Sequence, residues 1–328
     1  MHRIVVAALA AALSITGLFA SPALATTPPD PHVWQVQASA PGTFDGFLPR
    51  GAGNRFYPEA IAIHQGDKIA FTPFGPHTIT FNRLPVPVFA LLDPSLITPS
   101  PATLASTSDR VNGVIGFSPP PEAPFLLKFA SPGAYRIICA LHLGMSLAVD
   151  VRPTGATLPK GDAYYAAIAQ AEITRDLASI KRIDSAATQN FQDEDGNPTV
   201  LAGAGNTRVS NIRFYPSSVT IKVGKSITFL KTQDPTEPHT VLFGGEGLNM
   251  FTELIPIDRS TYDGTGTANS GFLSTQAQFD YYQLAGAIPG LPGGLTTYRL
   301  TFTKAGTFKY ICAIHDGAGM FGFVHVVR

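Results

Sequence analysis

Along residues 56–81, and again along 214–243, apolar and polar positions alternate in short runs that glycine or proline closes. Ile61-Ala62-Ile63-His64-Gln65-Gly66 is matched by Val219-Thr220-Ile221-Lys222-Val223-Gly224. Period-two alternation ending in glycine predicts a half-buried strand that enters a turn. Each run is preceded by Phe-Tyr-Pro (Phe56-Tyr57-Pro58 and Phe214-Tyr215-Pro216) and followed by a second strand, Lys68-Ile69-Ala70-Phe71 or Ser226-Ile227-Thr228-Phe229. Then come Pro76-His77-Thr78-Ile79-Thr80-Phe81 and Pro238-His239-Thr240-Val241-Leu242-Phe243. Both copies end on an apolar strand, Leu147–Val151 and Phe323–Val327. The chain is an internal repeat, and many short strands without intervening helices predict a β-sandwich in each half.

Between the copies lies one helical signal. Asp162 is placed to cap a helix over about 163–183, with Tyr165, Ile168, Ile173, Leu177 and Ile180 forming its apolar stripe. It reads as a connector packed on one domain. The Gln192–Asn197 run after it has too few carboxylates at EF-hand spacing for calcium and reads as a solvated linker. Each copy also carries a long insertion after its first histidine strand, about 83–127 and 244–298. Their apolar content predicts that they pack, over the sandwich or against a partner.

The N-terminus changes the compartment. Met1-His2-Arg3, an apolar run from Ile4 to Ala20 and the small residues ending at Ala25 form the pattern of a cleaved secretory signal, residues 1–25. No cysteine near the cut supports a lipid anchor there, and a transmembrane segment is not expected to remain after cleavage. The chain is expected to be exported, to a periplasm or the extracellular space. Its 23 basic and 23 acidic residues balance, and at 14% charged residues it advertises no nucleic-acid-binding face.

Each half contains one of the only two cysteines. The runs are Cys139-Ala140-Leu141-His142-Leu143-Gly144-Met145 and Cys312-Ala313-Ile314-His315-Asp316-Gly317-Ala318-Gly319-Met320. In an exported protein the default reading of two cysteines is a disulfide. Here it would join two copies of one repeat, and it would leave unexplained the histidine and methionine close to each thiol. Methionine is scarce, four in the chain, yet two follow the cysteines. The loop brings thiolate, imidazole and thioether to one pole of a sandwich, and the early histidine arrives there from another strand. Two imidazoles and a thiolate form a trigonal set suited to copper, with the thioether as a weak axial ligand.

On these residues both halves resemble cupredoxins, the plastocyanin and azurin type of small blue-copper protein, over roughly 33–151 and 200–328. The second loop resembles that of plastocyanin; the first has the shorter His-to-Met spacing of amicyanin. The resemblance implies an all-β fold of two Greek-key sandwiches in tandem joined by a helical linker. The expected bounds are 26–153 for the first domain, 154–198 for the linker and 199–328 for the second. It also implies two type 1 copper sites, ligated by His77, Cys139, His142 and Met145 and by His239, Cys312, His315 and Met320. Two departures stand out. Thr78 and Thr240 follow the early histidines where the family often has asparagine, and Leu147 stands where the second half has Gly322.

The function implied is single-electron transfer without catalysis. A multicopper oxidase or nitrite-reductase-like enzyme needs interface-copper histidines, and neither a histidine beside the cysteines nor any His-x-His pair is present. His64 and His325 fall at outward strand positions, and only His32, near Trp34, has no assigned role. A copper storage or tolerance protein would favour Met-rich or His-rich tracts, which are missing. Redox proteins are expected to dock transiently near His142 and His315, reaching the surface among Leu141, Leu143, Ile314, Ala318 and Phe321. Two sites imply either an internal relay or two independent docking faces.

Overall fold

The computed structural model describes residues 31–40, 50–118, 121–187, 191–245, 253–257, 259–286 and 291–328. The expected signal segment lies outside the described residues. In the first half, one sheet orders strands Phe56–Tyr57, Val33–Ala38, Lys68–Pro73, Phe125–Phe129 and Ala102–Leu104. The other orders Ala60–His64, Ser146–Arg152, Gly133–Ile138, His77–Phe81 and Val111–Ile115. The alternating apolar residues of both, including Ile61, Ile63, Ile69, Phe71, Ile137 and Val149, meet in a single core.

The second half repeats this plan. One sheet orders Thr261–Tyr262, Thr297–Phe302, Ser226–Leu230, Pro198–Gly205 and Val209–Tyr215. The opposing sheet orders Ser218–Lys222, Phe321–Val327, Gly306–Ile311, Leu242–Phe243 and Ala268–Asn269. Its core is built on aromatic rings: Tyr310 lies 4.7–5.2 Å from Phe214, Phe229 and Phe243 by ring centroids. Removing one such buried ring costs about 3–5 kcal/mol. In both halves sheet neighbours are mostly not consecutive in sequence, so the chain crosses repeatedly between layers. The protein is mostly β, with few helices, as the repeat implies.

The insertions do more than cover the sandwiches. The first supplies Ala102–Leu104, parallel to Phe125–Phe129, and the second supplies Thr261–Tyr262, parallel to Thr297–Phe302. Their remaining apolar residues meet each other. Val88 and Leu91 from the first pack with Leu254, Phe272, Phe279, Tyr282 and Leu284 from the second, and Ala140 of the first cysteine loop joins them. The helix Gln276–Tyr281, closed at its start by a capping box of Thr275 and Gln278, carries part of this cluster.

Two further elements tie the halves together. Gly51–Gly53, from the first half, pairs antiparallel with Val209–Asn211 and completes the second half's sheet. The connecting helix spans Asp162–Ala187, longer than its apolar stripe suggests, and it packs on strands of both halves rather than one. Its contacts follow the repeat. Arg55 and Tyr57 engage Asp176, with the tyrosine hydroxyl donating at 2.6 Å. Arg213 and Tyr215 engage Asp184, the hydroxyl donating at 2.5 Å. Each half therefore presents Arg-Phe-Tyr-Pro to one aspartate of the same helix. His32 gains a role here too, since its Nε2 lies 2.9 Å from Asp162 at the helix start. The 192–197 run is a tight turn in which Asp193 accepts from Asn197 and Thr228, with Glu194, Asp195 and Gly196 exposed.

Candidate metal centres

The pole of each sandwich gathers the expected donors. In the first half His77 begins the strand His77–Phe81, and Cys139 directly follows the strand Gly133–Ile138, which pairs with it. His77 Nδ1 and His142 Nδ1 lie 3.0 Å apart, and Cys139 Sγ lies 3.7 and 3.2 Å from them. In the second half His239 Nδ1 and His315 Nδ1 are 3.2 Å apart, with Cys312 Sγ at 3.8 and 3.5 Å. Among the described residues these two trios, each with donor atoms within 4.8 Å of one another, are the groups that could hold a metal ion. Both cysteines are free and buried, so no disulfide joins the copies.

Each loop is closed by its methionine. The amide of Cys139 donates to the Met145 carbonyl at 3.1 Å, and that of Cys312 to the Met320 carbonyl at 3.0 Å. Met145 and Met320 are 1% and 0% exposed and share the buried clusters of their cysteines. The threonines that replace the family's asparagine lock the early histidine to the cysteine loop. The amides of Thr78 and Thr240 donate to Cys139 Sγ and Cys312 Sγ at 3.3 Å. Their hydroxyls accept from the amides of Ala140 and Ala313 at 2.7 Å.

The donors fit copper. Donor atoms that share one first-row ion, with bonds of about 2.0–2.3 Å, stand about 3–4 Å apart, as these do. A soft thiolate with two imidazoles is the donor set copper prefers. The outer nitrogens of three of the four rings face carboxylates, as metal-binding histidines usually do. His142 Nε2 lies 2.9 Å from Glu237 Oε1 and His315 Nε2 lies 3.5 Å from Glu237 Oε2. His239 Nε2 faces Asp234 Oδ2 at 3.7 Å.

Neither carboxylate was singled out in the sequence, though a signal was present. Six positions separate Phe71 from His77, but ten separate Phe229 from His239, and the added run is Asp234-Pro235-Thr236-Glu237. Asp234 Oδ1 accepts from the amides of Thr236 and Glu237, both at 3.0 Å, folding the run into a turn that aims Glu237. The first half braces the same turn, because Asn54 donates to Ser210 and Thr236 at 2.8 and 2.7 Å. Lys231, wholly buried, donates to the Asp234 carbonyl.

The loop histidines do not reach the surface as expected. His142 and His315 are 8% and 9% exposed and turn inward to the junction of the halves, because Glu237 of the second half partners the outer nitrogens of both there. Leu141 and Ile314 pack on the cluster between the halves, and Ala318 is buried. Of the five expected docking residues Phe321 alone is exposed, at 40%. Both histidines line one cavity of about 170 Å³, walled mainly by apolar side chains and touched by His77 and Glu237.

Without metal, electrostatics favour a thiolate beside an imidazolium in each half. Burial raises the Cys312 thiol, but His315 and the hydrogen bonds from both histidines outweigh it and bring the pKa to about 5. Burial lowers His315, yet Cys312 and Glu237 lift it to about 10. Cys139 lies well below its ordinary value despite burial, through His142, and His142 lies well above its own through Glu237 and Cys139. A thiol depressed from 9.0 to about 5 contributes stability that is complete above pH 9 and is lost as pH falls toward 5. An imidazole raised from 6.5 to about 10 contributes stability that is complete below pH 6.5 and is lost as pH rises toward 10. For protein stripped of metal, the contribution of this pair is expected to be level between pH 6.5 and 9 and to decline on either side. The difference in unfolding free energy between stripped wild type and stripped Cys312→Ala, followed across pH, checks it. A difference that keeps growing below pH 6.5 contradicts it.

The comparisons with known proteins agree with this chemistry. The sequence profile for copper binding proteins of the plastocyanin/azurin family matches residues 199–327. Plastocyanin of Scenedesmus fuscus is 31% identical over 113 residues, which is 34% of this chain and 85% of that protein. Plastocyanin of Sambucus nigra is 28% identical over 116 residues, 35% of this chain and 89% of that protein. Among solved structures, oxidised plastocyanin from Dryopteris crassirhizoma aligns with 39% of this chain and 99% of its own, at 20% identity and a TM-score of 0.23. A reduced mutant amicyanin aligns with 43% of this chain and 93% of its own, at 20% identity and a TM-score of 0.25. The two plastocyanin sequences each match about a third of this chain. The chain belongs to the plastocyanin/azurin family of copper-binding proteins.

Proposed function

We propose that this protein carries single electrons through two type 1 copper sites, one in each half. The first is held by His77, Cys139, His142 and Met145, the second by His239, Cys312, His315 and Met320. The observation that carries this reading is the twofold appearance of one cluster, a buried thiolate facing two Nδ1 atoms at 3.2–3.8 Å. Copper in such a site supplies one-electron redox chemistry. The chain's own residues keep the donors fixed: paired strands, the threonine locks and the methionine closures hold each loop rigid, and the buried clusters exclude water.

Other features support a carrier over an enzyme. Outside the two clusters, the described histidines have structural partners: Asp162 for His32, the Ala156 carbonyl for His64 and Thr307 for His325. None is left to build an interface copper. We further propose export of the chain by residues 1–25 and the two-domain division given above. Redox proteins would dock transiently at the rim of the cavity shared by His142 and His315, where Phe117 is 45% exposed. Small, short-lived interfaces suit such exchange.

Metal analysis with visible spectroscopy tests the reading. Purified protein is expected to hold two copper ions per chain and to show an intense thiolate-to-copper band that bleaches on reduction and returns on oxidation. Colour that persists when Cys139→Ser and Cys312→Ser are combined would refute it, as would wild type that stays colourless with copper and oxidant.

A further inference from the structure

One carboxylate stands between the two donor clusters. Glu237, 5% exposed, meets His142 of the first half through Oε1 at 2.9 Å and His315 of the second through Oε2 at 3.5 Å. The inner nitrogens of the same two rings face the cysteines, Cys139 Sγ at 3.2 Å and Cys312 Sγ at 3.5 Å. The series Cys139, His142, Glu237, His315, Cys312 therefore runs from one cluster to the other with no gap between side chains wider than 3.5 Å. It is also shielded. The hydroxyl of Tyr282 donates to the Leu141 carbonyl at 2.9 Å, and that of Tyr281 to the Cys139 carbonyl at 2.7 Å. The second half's insertion thereby pins the first half's cysteine loop beside Glu237.

We propose that Glu237 makes the two centres one unit: it sets the ring orientation of both loop histidines, and it completes an internal path along which an electron passes between the halves. This rests on the copper reading above. The exchange is balanced within the chain. The reduced centre loses one electron, the oxidised centre gains it, and no covalent bond forms or breaks. Of the two arrangements open to a two-site chain, an internal relay or two independent faces, the geometry points to the relay. A residue serving a single site would have no reason to divide its two oxygens between histidines of different halves. Glu237 is a positioning residue for both sites, because it acts through the ligands and not on the metal.

The test compares wild type, Glu237→Ala and Glu237→Gln, each loaded with copper. Removing an outer partner of a ligand typically weakens metal binding about 10–100-fold, so Glu237→Ala is expected to lose that much affinity at both sites at once. Both absorption bands should shift, read separately by repeating the substitution in Cys139→Ser and Cys312→Ser backgrounds. In half-reduced wild type, pulse radiolysis should show internal equilibration at a rate independent of protein concentration, and slower equilibration in the alanine variant. Glutamine keeps the volume but offers only one acceptor, so it should shift one band and also slow the exchange. If the alanine variant does not fold, the glutamine variant decides. Two blue coppers in wild type, with variant bands and exchange rates unchanged, would overturn the relay and leave the carrier standing. Wild type without blue copper would remove the carrier itself.

Discussion

Replacing Gly203 by alanine is expected to cost the protein the copper proposed for its second half and leave the copper proposed for the first in place. Gly203 sits at an irregularity in the strand Pro198–Gly205, with φ at +77°. A Cβ there would stand 2.1 Å from His239 Nε2 and 2.8 Å from its Cδ2. The ring cannot yield freely, because His239 is wholly buried and its other face meets His315 at 5.0 Å between centroids. A displaced ring carries Nδ1 with it and disturbs its 3.8 Å approach to Cys312 Sγ. Backbone strain alone is a weaker cause. Register places Val36 and Val200 opposite Phe71 and Phe229, so Ser39 is the counterpart of Gly203, and it takes φ of 71° with a side chain. Copper per chain and the visible band should both fall by about half, by analogy with losing one ligand set. Gly224→Ala is the control, since its φ is also positive but nothing lies within 4 Å of the added carbon. A Gly203→Ala protein with two intact copper sites would contradict the account.

The second large effect concerns the connecting helix. Asp176→Ala is expected to destabilise the fold by about 3 kcal/mol, and Asp184→Ala by about 1 kcal/mol or less. The two aspartates make the same contacts to the two halves but in different surroundings. Asp176 and Arg55 expose only 4% of their side chains, so removing the carboxylate strands a buried guanidinium and the Tyr57 hydroxyl. Arg55 retains Glu59 and Glu172, which limits the loss. Asp184 and Arg213 expose 36% and 38%, where solvent already screens the pair. Chemical unfolding of the two variants should rank them in that order. Equal losses would show that burial does not govern the brace.

Much of this molecule was legible in the chain. Period-two alternation marked the strands Ala60–His64 and Ser218–Lys222 because Ile61, Ile63, Val219 and Ile221 meet the cores. Repetition separated His77, Cys139 and His142 from bystander histidines, and the structure brings them together. What escaped was every contact that depends on how the halves meet. Arg55 and Arg213 precede the repeated Phe-Tyr-Pro, but their purpose needs two aspartates on a helix that local periodicity places without orienting. Gly203 interrupts an apolar strand, a known sign of a bulge or a close approach, yet nothing local names His239 as the neighbour. Glu237 lies in a run present in only one copy, so comparing the copies could not vouch for it. The loop histidines were expected at the surface because each half was read as if it stood alone.

The strand Gly51–Gly53 shows why it does not. Three residues of the first half close the open side of a sheet in the second, through Val209, Ser210 and Asn211. The second half without the first would uncover that side, leaving unpaired amides and carbonyls along Val209–Asn211 as a template for foreign strands. The first half without the second would lack Tyr281 and Tyr282 on its cysteine loop. The first half lends the second an edge strand, the second pins the first's cysteine loop, and each covers what the other would leave open.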